Sequence, residues 1–351
     1  MKKNVRIKDI AEMAQVSMGT VDRVLHRRGK VSAEAEARVV RVLKEINYRP
    51  NVMAKALSKA QAYPLSVLMP HPDADPFWHI PQRGIYEAER QLHSFGVETH
   101  YYLFDPYDSE SFRQQAARAL EANPKGVLLA PVLRKESLSF AQECRERRIP
   151  LVCFNTYIEE LPSVSFIGQN LHQSGRVAAE LMLLGTHPDT ILIIHIAEHP
   201  DNSVHMYAKE QGFRQYCTEQ GMAATQIITL EIEDPETNPV ERLGLPSGLT
   251  ADAVQGIFIT TAKAYTLLPY LEKNKTSACR TIGYDLTDFN VSCLRQGKVD
   301  ILIHQETQKQ AFMGISYLAD LLIFGQEVPA INYLPLGIVT SETLDSYLRS
   351  D

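Results

Sequence analysis

The sequence predicts an α/β protein in two unequal parts: a small all-α helix-turn-helix head, then a two-lobed core of parallel sheets with helices on both faces. Three observations lead there. The first sixty residues hold 14 lysines and arginines against 6 acids, a net +8, whereas the 351-residue chain is −6, so the remainder carries −14. Within the basic segment, apolar residues recur at helical spacing around a short polar turn. From Pro64 onward, strand-like and helical runs alternate in two successive series, the pattern of two sets of βαβ units. A basic head on an acidic body suggests a polyanion-binding module joined to something that avoids polyanions.

In the head, Ile7, Ile10, Ala11 and Ala14 share one helical face, and the run stops at Gln15-Val16-Ser17. Ser17 suits an N-cap, its hydroxyl accepting from a free backbone N–H of the next helix. Val21, Val24 and Leu25 form that helix's inner face. Small Ala11 and Ala14 opposite Val21 permit the close crossing of a helix-turn-helix. Ser32 can cap a third helix with Val39, Val42, Leu43 and Ile46 inward. That helix should end before Arg49-Pro50, because the residue before proline disfavours α geometry. The outer face of the second helix carries Met18, Gly19, Thr20, Asp22, Arg23 and His26, where a recognition helix meets base edges.

The core reads in order as strand SVLMP (66–70), helix 84–95, strand VETHYYLF (97–104), helix 109–122, strand GVLLAP (126–131), helix 136–147 and strand PLVCFN (150–155). SVSFIGQN (163–170) opens the second series. There follow a helix over 174–184, TILIIHIA (190–197), a helix over 204–219, QIITLEIE (226–233), GIFITT (256–261) with its helix, and RTIGYD (280–285). Ligands of such sheets bind beyond the carboxyl ends of the strands, so a site is expected in the cleft between the lobes.

Several function classes find no support. No apolar run approaches the roughly 18 residues of a membrane span, and no signal-peptide pattern opens the chain. The five cysteines (144, 153, 217, 279 and 293) show no CxxC spacing and read as reduced, buried thiols of a cytoplasmic protein. There is no GxGxxG, P-loop or GxSxG motif, so neither a cofactor nor catalysis is expected. His195-Ile-Ala-Glu198-His199 matches the HxxEH pattern of some zinc peptidases, but that chemistry needs both histidines on one helix face. TILII before it and Pro200 after it make this a strand end, and no metal is expected. Asp105 and Asp108 follow a strand and either line the cleft or form a turn.

The segments IKDIAEMAQVS, TVDRVLH, VS before the third helix, and YRPN followed by MAKAL together resemble the DNA-binding head of the lactose-repressor (LacI/GalR) family, from Ile7 to Leu57. The resemblance implies double-stranded operator DNA as partner. It implies a hinge helix over residues 51–59 that folds in the minor groove, with Asn51 at its start, Ala54 allowing close approach and Leu57 wedging a base step. Two departures stand out: Asp22 where a serine or larger polar residue is usual, and Gly19 where a base-reading residue is common. Asp22 can accept only from a donor such as cytosine N4, while Arg23 suits a bidentate contact to guanine.

The core is similar to the rest of that family, whose bodies resemble periplasmic sugar-binding proteins. The landmarks are Asp75-Pro76-Phe77-Trp78, IPLVCFN ending at Asn155, KEQGF (209–213), GYD ending at Asp285, and ILIHQETQKQ with Gln305. They imply ligand-facing positions at Asp75, Asn155, Lys209, Thr261, Asp285 and Gln305, with Phe77 and Trp78 able to stack on a sugar ring. Trp78 equally suits a core, and Lys209 stands where the family usually has arginine. The implied protein is a cytoplasmic homodimer without a coiled-coil tail. It represses carbohydrate use, and a sugar or sugar derivative controls its operator affinity. A nucleobase or phosphorylated metabolite as effector, or a sugar-modifying enzyme fused to the head, are the alternatives. The implied organisation is head 1–50, hinge and linker 51–62, and core 63–351. The first lobe then spans about 63–168 and 302–334, the second about 169–301 and 335–351.

Overall fold

Among the described residues, three helices build the head: α1 (Ile7–Ala14), α2 (Met18–Leu25) and α3 (Ala33–Glu45). The computed structural model describes residues 7–25, 29–45, 61–196, 204–232, 250, 253–267 and 279–349. His26, Ile46 and the expected hinge residues Asn51, Ala54 and Leu57 lie outside them. The chain divides into two units, Met1–Lys59 and Ala60–Asp351.

The turn after α1 follows from its backbone bonds. Gln15 adopts φ 51°, while Gln15 N donates to Glu12 O and Val16 N to Ala11 O. That pair of bonds is a Schellman ending. It turns Val16 onto the head core of Ile10, Ala11, Ala14, Val21, Val39 and Val42. Ser17 Oγ then accepts from Thr20 N at 3.1 Å and starts α2. Ser32 Oγ accepts from Ala35 N at 3.3 Å and starts α3. Both expected caps are formed.

Among the described residues, the body holds two six-stranded sheets. The first comprises β1 (Tyr63–Pro70), β2 (Val97–Phe104), β3 (Gly126–Leu129), β4 (Leu151–Asn155), β5 (Ser165–Gly168) and β11 (Ile331–Tyr333). The second comprises β6 (Ile191–Ile196), β7 (Ile227–Ile232), β8 (Gly256–Ile259), β9 (Arg280–Tyr284), β10 (Ile301–His304) and β12 (Gly337–Val339). Their orders are β11-β5-β4-β3-β1-β2 and β12-β10-β9-β8-β6-β7. Both follow one doubly wound plan, parallel except for β12, which runs antiparallel to β10. Central strands are buried along their whole length, as parallel strands covered on both faces must be. Period-two alternation divides the second sheet between two layers. Leu192, Ile194, Ile257, Ile259 and Leu302 face one side, while Ile191, Ile193, Phe258, Ile282 and Ile303 face the other.

Two expectations are corrected here. Residues 163–170 do not open the second series, because β5 pairs with β4 and β11. Its run is too short to reveal which sheet it joins, and only pairing decides. The return to the first lobe does not lie at 302 either, because β10 pairs with β9 and β12. The chain crosses after His304, into helix α10 (Thr307–Ala319).

Helices α4 (His79–Leu92), α5 (Ser109–Glu121), α6 (Arg134–Glu146), α7 (Leu171–Leu183), α8 (Val204–Glu219), α9 (Asp288–Arg295), α10 (Thr307–Ala319) and α11 (Leu344–Leu348) complete the described body. α4 starts five residues earlier than the sequence suggests, led in by a turn over Pro76–Trp78. α7 starts at Leu171 because the Asn170 side chain accepts from Gln173 N. Two helix crossings are set by glycine. A Cβ on Gly84 of α4 would overlap the Gln308 carbonyl of α10. A Cβ on Gly175 of α7 would overlap the Lys209 carbonyl of α8, and one on Gly212 would overlap that of His172. The second crossing therefore fixes Lys209 against α7.

Candidate functional site

On the head, Ser17, Met18, Gly19, Asp22 and Arg23 are exposed and Thr20 is half-buried. Met18 leaves 56 % of its surface in solvent, far from what a core methionine shows. Arg23 Nε donates to the Gly19 carbonyl at 3.1 Å, so its guanidinium lies along the outer face of α2. A side chain at position 19 would approach that guanidinium, and glycine leaves it room. Ser17 Oγ is engaged by Thr20, through both its N–H and its hydroxyl.

In the body, the carboxyl ends of both sheets face one cleft. Its envelope, with the open solvent at its mouth included, is about 640 Å³. All eight residues singled out from sequence line it: Asp75, Phe77, Trp78, Asn155, Lys209, Thr261, Asp285 and Gln305. Tyr107, Thr156, His205 and Lys263 join them and were missed. Tyr107 and Lys263 each lie within four residues of a strand end, so the strand-end rule applied to every residue would have found them. Asp105 and Asp108 resolve as turn formers. Asp105 accepts from Tyr107 N and Asp108 from Glu110 N, which caps α5.

The first-lobe wall grows from β1, β2 and β4. Asp75 Oδ1 accepts from Phe77 N at 3.1 Å and holds the Pro76–Trp78 turn. Phe77 and Trp78 meet edge to face at 5.1 Å, and Trp78 meets Phe154 of β4 in the same way at 6.2 Å. Trp78 thus belongs to the core and to the cleft at once. Asn155 ends β4 at φ 72°, a conformation Asn tolerates better than most residues. Its N–H donates to Gln310 Oε1, and its side-chain oxygen accepts from Thr156.

The second-lobe wall is more polar. Asp285 follows β9 at φ 62° and is fully buried. Its two oxygens accept from Gln305 N at 3.0 Å and Gln305 Nε2 at 2.6 Å. Burial pushes its carboxyl above the usual carboxylate range, against the opposing pull of His304, Gln305 and Lys209. Lys209, only 2 % exposed, donates to Thr260 O at 2.8 Å. Its ammonium sits 3.8 Å from the Tyr284 ring centre, a cation–π contact. Behind it, His195 joins Thr260 Oγ1 and Glu210, each at 2.7 Å. Glu210 also accepts from Arg214 and Thr229. Burial opposes its ionisation, but His195, Thr229 and Arg214 together hold its carboxyl at about 2. His195 thus sits on β6 within a polar network; Glu198 and His199 lie outside the described residues. Among the described residues, no cluster of three or more His, Cys, Asp or Glu has metal-binding geometry.

Among the described residues, three chain crossings join the lobes. Gln169, on the first, donates from Nε2 to His304 O beside the second and to Pro335 O on the third. Gln310 of α10 extends the link by donating to Gln305 O, so Asn155 and Asp285 are tied through Gln310 and Gln305.

An exposed recognition helix on a basic head, followed by a two-lobed body with a cleft at its strand ends, defines a DNA-binding transcription regulator with a ligand-binding core. Residues 6–51 match the model for bacterial regulatory proteins of the lacI family, and residues 66–327 match the periplasmic binding protein domain. The chain belongs to the lacI family and carries a periplasmic-binding-protein-type core. It is 24 % identical to the ribose operon repressor of Halalkalibacterium halodurans over 283 residues, 80 % of each chain. A solved LacI-type transcriptional regulator from Bacteroides fragilis superposes with a TM-score of 0.73 at 32 % identity, covering 82 % of this chain and all of that one. The regulator CelR in complex with cellobiose shares the fold, with a TM-score of 0.63 at 19 % identity over 95 % of this chain and 98 % of that one.

Proposed function

We propose that this chain represses a carbohydrate-use operon, with a sugar or sugar derivative in the cleft setting its operator affinity. In this reading two heads of a cytoplasmic homodimer bind a pseudo-palindromic site, and the body has no catalytic role. Head, hinge and core then run over 1–50, 51–62 and 63–351. Arg23 reads guanine from α2, with Ser17, Met18, Gly19, Thr20, Asp22 and His26 along the groove. Asn51, Ala54 and Leu57 supply the minor-groove hinge.

The carrying observation is the pairing of unlike walls. Phe77 and Trp78 offer apolar ring faces from one lobe, suited to the C–H face of a sugar. Lys209, Thr261 and Asp285 offer donors and acceptors from the other, suited to its hydroxyls. The ribose operon repressor and the cellobiose complex among the similar proteins support the same ligand class. Two lysines on one wall, Lys209 and Lys263, favour including phosphorylated sugars as a second reading. Coupling requires that the ligand favour one lobe arrangement over another, and the crossings tied by Gln169 are where the lobes can turn.

The test is thermal unfolding of the full chain with ribose, cellobiose, other neutral sugars, sugar acids, sugar phosphates and nucleobases, each in excess. A ligand at 100 times its Kd adds about 2.7 kcal/mol. The same ligand should change affinity for an operator selected from random-sequence DNA. Stabilisation by a nucleobase alone would contradict the carbohydrate reading.

A further inference from the structure

Tyr265 and Phe289 form an aromatic pair on the second lobe. Tyr265 lies in a short turn past β8, Ala264–Leu267, and Phe289 is the second residue of α9. Their ring centres are 4.9 Å apart and the planes are tilted by 31°, an offset stack. Tyr265 is half-buried, whereas Phe289 leaves 54 % of its surface in solvent, so the buried ring backs the exposed one. One side chain ties this pair to the polar wall of the cleft. Asn290, fully buried, accepts from Tyr265 N at 3.1 Å. Its amide donates to the carbonyls of Ala262 and Tyr284 at 2.7 and 2.8 Å and reaches that of Asp285 at 3.3 Å. Thr287 Oγ1 accepts from Asn290 N and starts α9. Two residues before Tyr265, Lys263 lines the cleft, donating to the Tyr107 hydroxyl at 2.9 Å and pairing with Asp75 at 3.4 Å. Burial pushes the Tyr265 hydroxyl up, with Asp75 adding to that rise and Lys263 opposing it. Both of those groups line the cleft, so the phenol stands beside it.

We propose that the Tyr265–Phe289 pair is a second sugar-ring subsite at the edge of the cleft, and that the effector is an oligosaccharide rather than a monosaccharide. The inference rests on the carbohydrate reading of the cleft. A lone aromatic on a surface signifies little. This one is held from behind by a second ring, and its neighbour Asn290 is bonded to the same backbone that carries Asp285. Its free face is therefore fixed relative to the polar wall. A preorganised ring gives up little freedom when the C–H face of a sugar covers it. The two rings alone fall far short of the roughly 1,000 Å² that a specific protein interface buries, whereas one pyranose face needs no more than one aromatic ring. One ring of the effector then lies among Phe77, Trp78, Lys209 and Asp285, and the next ring of the same chain lies on Phe289.

The test is isothermal titration of the full chain with glucose, galactose, mannose and xylose, each beside its β-1,4-linked di- and trisaccharide. At least one series should bind, with the disaccharide roughly three- to tenfold tighter than its monosaccharide, the scale of one aromatic contact. Phe289→Ala should remove that gain and leave the monosaccharide affinity unchanged, which also shows that the variant is folded. Phe289→Tyr keeps the ring and should keep the gain. Equal affinity for mono- and disaccharide overturns the subsite while the carbohydrate reading stands, and so does a Phe289→Ala protein that weakens both alike or neither. Binding of no saccharide of any length removes the carbohydrate reading and this inference with it. Sedimentation of the same variant covers the other occupant: a changed oligomeric state with unchanged saccharide affinities would make the pair a contact between copies of the chain and overturn the subsite.

Discussion

Asn155 ends β4 in the first lobe and Asp285 follows β9 in the second, and both hold positive φ, 72° and 62°. β4 and β9 are the fourth strands of two sheets wound in the same order, so the two residues occupy equivalent places. Asn155 is bound by neutral partners, the Gln310 amide and the Thr156 hydroxyl. Asp285 is a buried acid with two donors from Gln305, and His304 Nδ1 lies 3.9 Å away. One lobe extends its aromatic core to the cleft, and the other extends a buried ionic network. A repeated backbone plan thus fixes where cleft residues stand but leaves their chemistry open, and a ring with one apolar face and one hydroxylated edge fits between such walls.

The largest effect that would break this comparison is at the helix crossing behind Lys209. Gly175→Ala places a Cβ on the Lys209 carbonyl, and backbone cannot move aside as a side-chain tip can. About 3 kcal/mol or more should be lost in urea unfolding, with ligand response lost as Lys209 shifts. Gly84→Ala in the first lobe meets Gln308 in the same way. It should destabilise comparably but leave the His195–Glu210 network in place.

Next is pH. The Glu210 carboxyl is held at about 2 against its usual 4.5, which is stability of order 3 kcal/mol. That contribution is present above pH ~4.5 and lost as pH falls toward 2. Asp285 has the opposite sign, because its carboxyl is raised from the usual 3.8. Its folded state is favoured most below that value and loses ground as pH rises through the raised one. Unfolding free energies from pH 2 to 7 should therefore show the gap between wild type and Glu210→Gln widening as pH rises. The gap between wild type and Asp285→Asn should move against wild type over the same change. Parallel pH slopes for the two variants would erase the distinction between these acids.

Smaller again is the paired removal of the two side chains. Asp285→Gly leaves both Gln305 donors facing an empty place, a loss of about 1–3 kcal/mol. It should also abolish ligand-induced stabilisation. Asn155→Gly keeps the backbone bond to Gln310 and relieves positive φ. It should stay within about 1 kcal/mol of wild type, because glycine adopts that conformation freely. Equal losses at both positions would show that the two strand ends do the same work.

Much of this was legible in residue order. The head's caps and the described part of its apolar faces depend on neighbours a few residues apart and stand where the sequence places them, and the strand and helix alternation is present with earlier starts for α4 and α7. Asp75, Asn155, Thr261, Asp285 and Gln305 lie at or just past strand ends, which the doubly wound plan brings to one face. Sheet membership was not legible for β5 and β10, since four-residue strands carry no label for their partners. The His195–Glu210–Thr260 links and the Lys263–Asp75–Tyr107 contact join residues 15 to nearly 190 positions apart. No local periodicity encodes such pairs. Lys209 stands out in the sequence as a lysine where the resembled family usually has arginine, but the tyrosine ring beneath it and the glycines that seat it come only from packing.

Trp78 is the chain's single tryptophan and lines the aromatic wall, so its emission reports directly on the cleft. The most direct measurement is a titration of the full chain with neutral, acidic and phosphorylated mono- and disaccharides, following that emission beside operator affinity. One sugar class should change the emission saturably and shift operator affinity over the same concentration range, and Asp285→Gly should lose both responses together. A sugar that alters operator affinity while Trp78 emission stays constant, with Asp285→Gly still responding, would contradict a cleft formed from these two walls.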